Sequence, residues 1–393
     1  MLRAVERHYL DHNATTPLDP AIAAEMAVVQ ERFFANPSSP HAEGRAARCL
    51  LDECRERLAA VWQCKPSELV FTASATESNN TALFGAARLR RDRGRHIVAS
   101  SVEHPSVRRP LERLAKEEGF EVAWAPVDDQ GRVIPDAVEE LLRPDTVLVS
   151  VQAANNETGV LQPVADIGRR CRSRGILFHV DAVQWFGKVP FEGIGTFEAD
   201  LVSACAHKLH GPKGVGVLYQ RSPLRLPALL HGGSQEDERR AGTENLPGIV
   251  GLVMAMERFT LPPVFDCPAV REAATKLEKA IAAIPGVHLL SQRTPRLPNT
   301  VAFAVEGADG LSLVANFDLE GFAVSSGSAC SAGALKPSNT LRAMGLDEGL
   351  ASALVRVSFG RDTTPAAVGR LTSCVQQVVN RARGLEETDR GGE

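Results

Sequence analysis

From about residue 42 to residue 220 the chain alternates segments of helical periodicity with short runs of apolar, often β-branched residues. No other feature limits the fold as much. Within 42–62, Ala46, Leu50, Leu51, Leu58 and Val61 recur at helical spacing. Runs at 69–72, 96–101, 121–127, 146–153, 176–180, 200–204 and 215–219 read as strands. Helices are predicted between most of them, at 76–93, 107–118 and 164–174, closed by Gly94, Gly119 and Gly175. Strands joined through helices pair in parallel, so the expectation is an α/β fold. Its large domain holds a mostly parallel seven-stranded sheet covered on both faces, with sites at the carboxyl ends of the strands. After Leu261-Pro262-Pro263 the order changes to a helix at 270–284, strands near Val287, 300–305 and 322–325, and a helix at 365–383. That predicts a smaller α+β domain. The expected division is 15–260 for the large domain, with 1–14 and 261–393 forming the small one.

Charge and cysteine usage narrow the function classes. Forty-four basic residues against 48 acidic ones leave a formal charge of −4, without the basic surface that displaces counterions from nucleic acid. No apolar run approaches the roughly 20 residues of a membrane helix. Residues 1–9 carry Arg3, Glu6 and Arg7 and no apolar signal core, so a cytoplasmic protein is expected. The eight cysteines include no Cys-x-x-Cys pair, which excludes zinc-ligand spacing; seven read as small buried hydrophobes. Dinucleotide, Walker, nucleophile-elbow and zinc-protease motifs are all missing.

Three strand ends carry chemistry. In 71–78 a strand gives way to a helix through small and hydroxyl-bearing residues, placing free amides and a helix dipole at the sheet edge. Ala75 and Thr76 are the candidate phosphate ligands, although an ordinary helix cap has the same pattern. In 178–184 Asp181 ends a buried strand, where it suits a metal, a ribose, a protonated pyridine nitrogen, or a simple capping role. In 206–214 Lys208 follows a strand among apolar residues, the setting of a Schiff-base lysine or of a lysine beside a Gly-Pro turn. A phosphate cradle, an acid for a pyridinium and an amine for an aldehyde are together the anchors of pyridoxal 5'-phosphate.

With these motifs the chain resembles the pyridoxal phosphate-dependent cysteine desulfurases of the class V aminotransferase group, of the nitrogen-fixation and iron–sulfur-cluster type. The resemblance runs from Tyr9-Leu10-Asp11-His12-Asn13-Ala14-Thr15-Thr16-Pro17 through Glu103-His104-Pro105, Asn155-Asn156-Glu157-Thr158-Gly159, His179-Val180-Asp181 and His207-Lys208. It continues through Arg240-Ala241-Gly242-Thr243-Glu244-Asn245 and Ser325-Ser326-Gly327-Ser328-Ala329-Cys330 to Val355-Arg356-Val357-Ser358. It implies a fold type I transferase that acts on L-cysteine as a homodimer and passes sulfur to an acceptor or scaffold protein. By the same resemblance Lys208 tethers the cofactor and serves as base at Cα, Asp181 keeps the ring nitrogen protonated, Gln184 donates to the ring phenolate, and His104 stacks on the ring and assists proton transfers. Thr76, His207 and Thr243 bind phosphate, Thr243 from the other subunit, while Arg356 with Asn156 clamps the substrate carboxylate.

Cys330 carries the sulfur in this scheme. Its neighbours from Ser325 to Ala334 are Ser, Gly and Ala without a bulky anchor, which predicts a mobile segment whose thiolate attacks the substrate sulfur and becomes a persulfide. The chain departs from the family pattern in two places. Cys205-Ala206 stands where relatives have Ser-Gly before His-Lys, removing a strong hydroxyl donor. The segment 231–238 is unusually acidic through Glu236, Asp237 and Glu238, which is expected to weaken a cationic rim. Two alternatives follow: a lyase preferring selenocysteine, or a weakly catalytic partner that relays sulfur.

Overall fold

In the computed structural model, residues 6–327 and 337–385 are described. After the short β1 (His8–Tyr9), the seven expected strands are β2 (Leu69–Thr72), β3 (His96–Ser100), β4 (Glu121–Ala125), β5 (Thr146–Ser150), β6 (Leu177–Asp181), β7 (Leu201–Cys205) and β8 (Gly216–Gln220). All but β4 are buried along their whole length, which requires cover on both faces. The sheet order is β2-β8-β7-β6-β5-β3-β4. Only β8 opposes its neighbours, so the other six strands point the same way.

The helices of this region are α1 (Pro20–Arg32), α2 (Ala42–Trp62), α3 (Ala75–Leu89), α4 (Pro105–Glu118), α5 (Pro135–Leu141), α6 (Val164–Ser173) and α7 (Leu246–Phe259). Strand side chains alternate between two cores. On one face Ile97, Leu148, Leu177, Leu201 and Leu218 meet Leu83 and Ala86 of α3 and Leu111 and Leu114 of α4. On the other, Val98, Val149, Phe178, Val202 and Val217 meet Ile22, Leu51, Leu58, Ile167 and Leu252 from α1, α2, α6 and α7. Helix α4 begins two residues before its predicted start, because Pro105 fits the first helical position and His104 caps it. Helix α7 is buried on nearly every side and therefore lacks the amphipathic rhythm that marks a helix in sequence.

The chain continues through α8 (Pro268–Ala282), β9 (Val287–Leu289), β10 (Thr300–Val305), α9 (Gly310–Leu319), β11 (Phe322–Ala323), α10 (Asn339–Ala343), α11 (Glu348–Ser352), β12 (Leu354–Ser358) and α12 (Pro365–Ala382). An antiparallel sheet β12-β10-β9 packs Val301, Phe303, Val355 and Val357 against Leu277 of α8 and Leu371 and Val375 of α12. The N-terminal β1 pairs in parallel with β11, and Asp11 bridges to Ser358. The chain then crosses to the large sheet, where the Thr16 amide donates to the His207 carbonyl at 2.9 Å. Among the described residues no helix is long and apolar enough to cross a membrane.

One glycine couples the sheet to the helix that follows β2. A Cβ on Gly216 would lie 2.7 Å from the backbone of Ser74, 2.9 Å from the Thr72 hydroxyl and 3.0 Å from the Ala204 carbonyl. Gly216→Ala is expected to cost about 1–3 kcal/mol of overpacking, read as a lower urea midpoint at unchanged slope; an unchanged midpoint would contradict the close packing of β8 on the α3 cap.

Candidate active site

Strands pointing the same way release their loops at one edge. That edge receives Ala75 and Thr76 after β2, His104 after β3, Asn156 after β5, Asp181 and Gln184 at the end of β6, and His207 and Lys208 after β7. At the start of α3 the Ser74 hydroxyl accepts the Glu77 amide at 3.1 Å, and the Glu77 carboxylate accepts the Ala73 amide at 2.8 Å while pairing with Arg240. No acceptor among the described residues takes the amides of Ala75 and Thr76. Two open N–H groups at the positive end of a 15-residue helix suit a phosphate.

Asp181 accepts from the Asn79 side-chain amide at 2.8 Å and from the Val183 backbone amide at 3.1 Å. The Lys208 Nζ donates to the carbonyls of Asn13 at 2.7 Å and Ala14 at 2.6 Å. The apolar surroundings expected for this amine are thus corrected. The pairing of β1 with β11 brings a polar backbone segment across the sheet edge to hold it. Gln184 Nε2 donates to the same Asn13 carbonyl at 2.9 Å, and its Oε1 accepts from Lys188 Nζ at 2.5 Å. Lys188 is fully enclosed, and burial drives its pKa well below the ordinary lysine value, with Lys208 pushing the same way.

Both histidines at the edge are shifted downward. Burial lowers the pKa of His104; Asp181 opposes that shift and Lys208 reinforces it, so these three groups feel one another. Burial, aided by Lys208, lowers His207 to about 4, so near neutral pH its ring is uncharged. Its Nδ1 lies 3.1 Å from the Thr15 hydroxyl. Arg356 is 1% exposed, so its guanidinium is held inside the fold. Its Nη2 pairs with Asp11 at 2.6 Å and its Nη1 donates to the Asn156 carbonyl at 2.8 Å, so Asn156 contributes its backbone to this contact. Its Nε has no partner among the described residues.

Two candidates stand apart. Thr243 lines a small cavity of about 60 Å³ with Ala73, Gly214 and Arg240, whereas Thr76 and His104 line a separate opening of about 430 Å³. Cys330 lies outside the described residues. Of the other cysteines, Cys54, Cys171 and Cys205 are buried, Cys64, Cys267 and Cys374 half-buried, and Cys49 exposed on α2, which corrects the expectation that all seven are buried. Burial pushes Cys205 up to about 11, keeping it a protonated, weakly donating thiol. The acidic segment also needs correction. Glu236 faces inward, pairing with Arg55 at 2.5 Å and accepting the Phe71 amide at 2.9 Å, so only Asp237 and Glu238 remain on the surface.

Sequence reasoning assigned nothing to Asn79, Ser106 or Lys188. Lys188 stands four residues after Gln184, a spacing that puts them within reach in a helical turn. Asn79 and Ser106 meet only because α3 and α4 lie side by side.

Glu103, beside His104, offers a test by pH. Its Oε1 accepts from Ser100 Oγ at 2.5 Å and the Gln152 amide at 2.8 Å, while Oε2 has no partner among the described residues. Burial raises its pKa from 4.5 to about 8. The folded state therefore holds this proton more tightly than the unfolded chain. The resulting stability is complete below pH 4.5 and is lost as pH rises through about 8. In Glu103→Gln, which does not ionise, urea stability relative to the parent is expected to climb across that window; parallel curves would refute a protonated Glu103.

Comparison with known proteins agrees with this geometry. The family described as Aminotransferase class-V matches residues 8–371. A cysteine desulfurase IscS of Dictyoglomus turgidum is 39% identical over 378 residues, covering 96% of this chain and 95% of the relative. A solved NifS-like protein superposes with a TM-score of 0.88 at 35% identity, covering 95% of this chain and all of that one. A structure of SspA in complex with cysteine superposes with a TM-score of 0.80 at 34% identity, over 91% and 99% of the two chains. On these grounds the chain belongs to the class V aminotransferase family, among its pyridoxal phosphate-dependent cysteine desulfurases.

Proposed function

We infer that the protein removes sulfur from L-cysteine, releasing L-alanine and leaving a persulfide on Cys330 for transfer to an acceptor in iron–sulfur cluster or thio-cofactor synthesis. One observation carries the assignment of roles at the sheet edge: Lys208, Asp181 and the open amides of α3 converge there from three different strand ends.

Pyridoxal phosphate supplies an electron-poor ring that withdraws electrons from the substrate's Cα. The chain's own groups do the rest. The amides of Ala75 and Thr76, the Thr76 hydroxyl and His207 hold the phosphate. Asp181, kept in place by Asn79, would hold a proton at the ring nitrogen. Gln184, with its oxygen taken by Lys188 and one amide hydrogen by the Asn13 carbonyl, would have its second hydrogen left to donate to the ring oxygen. Lys208 would tether the aldehyde and be the base for the Cα proton, and His104 would cover the ring and move protons on the substrate side. Arg356 is positioned by Asp11 and Asn156 and still has unused donors among its five N–H groups, which suits a substrate carboxylate. The Cys330 thiolate attacks the substrate sulfur. A carbon–sulfur bond breaks, a sulfur–sulfur bond forms, and the carbon skeleton leaves as alanine once protonated.

The reading extends to a cytoplasmic homodimer. Thr243 is exposed and lines a different cavity from Thr76 in the same chain, as a residue serving a partner's phosphate site would.

Mass measurement after cysteine addition and thiol trapping should find one extra sulfur on the peptide containing Cys330. Cys330→Ala should lose alanine and sulfide production while keeping the visible absorbance of bound cofactor; Lys208→Ala should lose that absorbance. Turnover at the parental rate in Cys330→Ala would remove that thiol from the mechanism. Cys205→Ser restores a hydroxyl donor near Lys208 and should tighten cofactor binding several-fold, on the order of one hydrogen bond, in an absorbance titration.

A further inference from the structure

A buried run of hydrogen bonds ties Asp181 to His104 through two residues to which the mechanism above gives no chemistry. Asn79 Nδ2 lies 2.8 Å from Asp181 Oδ2 and 2.8 Å from Ser106 Oγ, and Ser106 Oγ lies 2.7 Å from His104 Nδ1. Asn79 has no exposed surface and Ser106 is 8% exposed.

The direction of each bond follows from chemistry. A carboxylate only accepts, so the atom of Asn79 that faces Asp181 is its amino group. That group has two hydrogens, and the second is directed at Ser106 Oγ. The serine oxygen, already accepting from Asn79, turns its own hydrogen to His104 Nδ1. The Ser106 backbone amide donates to the same ring nitrogen at 3.1 Å. Two hydrogens aimed at Nδ1 leave it no room for one of its own. A neutral imidazole in this setting carries its hydrogen on Nε2.

We propose that Asn79 and Ser106 are positioning residues that hold His104 as the Nε2–H tautomer, so that His104 meets the substrate as a proton donor through Nε2. The same carboxylate that serves the ring nitrogen thereby sets, through one amide and one hydroxyl, which nitrogen of the neighbouring histidine bears the proton. The inference rests on His104 lying over the cofactor ring, as proposed above. Besides Asp181 and Lys208, which act on His104 electrostatically, Asn79 of α3 and Ser106 of α4 are the polar groups of the adjoining helices in this run.

The test uses the cofactor-loaded enzyme labelled with ¹⁵N-histidine, in which His104→Gln identifies the His104 signals. Long-range proton–nitrogen correlation should show hydrogen on Nε2 and a bare Nδ1. Ser106→Ala removes a donor to the neutral ring. His104 should then titrate roughly half to one pH unit higher, the equivalent of one hydrogen bond, and Ser106→Thr, which keeps the hydroxyl, should restore the parental value. Asn79→Ala frees the serine hydroxyl to rotate and should raise the titration in the same direction. A bare Nε2 in the parent, or an unchanged titration in Ser106→Ala, would overturn the proposal. Absence of visible cofactor absorbance in the parent would instead reject the assignment of the site itself.

Discussion

Strands β2, β3, β5, β6 and β7 end at the same edge because each helix returns the chain to the sheet's opposite end before the next strand begins. That constraint alone gathers residues between 75 and 208 into one site. The single reversed strand, β8, does not disturb it. It carries none of the candidate ligands, and Gly216 lets it pass close to the cap of α3.

An edge rich in charged and polar groups is costly to bury unless each group finds a partner. This protein meets that requirement largely with backbone from elsewhere. Carbonyls of Asn13 and Ala14 hold Lys208, the Asn13 carbonyl also takes Gln184, and the Asn156 carbonyl takes Arg356. Pairing of β1 with β11 and of Asp11 with Ser358 routes the N-terminal segment between the two sheets, where it touches both Lys208 and Arg356. The groups proposed to hold cofactor and substrate are thus tied to one short stretch of chain. In the sheet interior, His179 is bonded through both ring nitrogens to Ser150 and Ser203, and burial lowers its pKa to about 3, so it is a neutral structural residue.

Much of this was legible in the sequence where the physics is local. The strands other than β4 were readable because they are buried on both faces and so form continuous apolar runs; the predicted limits of the strands differ by a few residues at most. The placement of Asp181, Lys208 and Thr76 at strand ends was readable because polar residues at the ends of such runs stand out. Helix α7 was not, since it is surrounded by core and loses its polar face. The acidity of 236–238 misled because composition does not reveal direction: Glu236 turns inward to Arg55.

By itself the sequence determined the order of strands and helices, the α/β class and the residue types waiting at strand ends, since hydrophobic periodicity and turn chemistry act over a few neighbouring residues. Only the tertiary structure decided that Lys208 rests on the carbonyls of Asn13 and Ala14, that Arg356 is buried against Asp11, and that Asn79 and Ser106 join Asp181 to His104. Apart from the local bond between Ser106 and His104, those contacts span from 27 to 345 positions along the chain and depend on distance and bond direction in space, which no local pattern encodes.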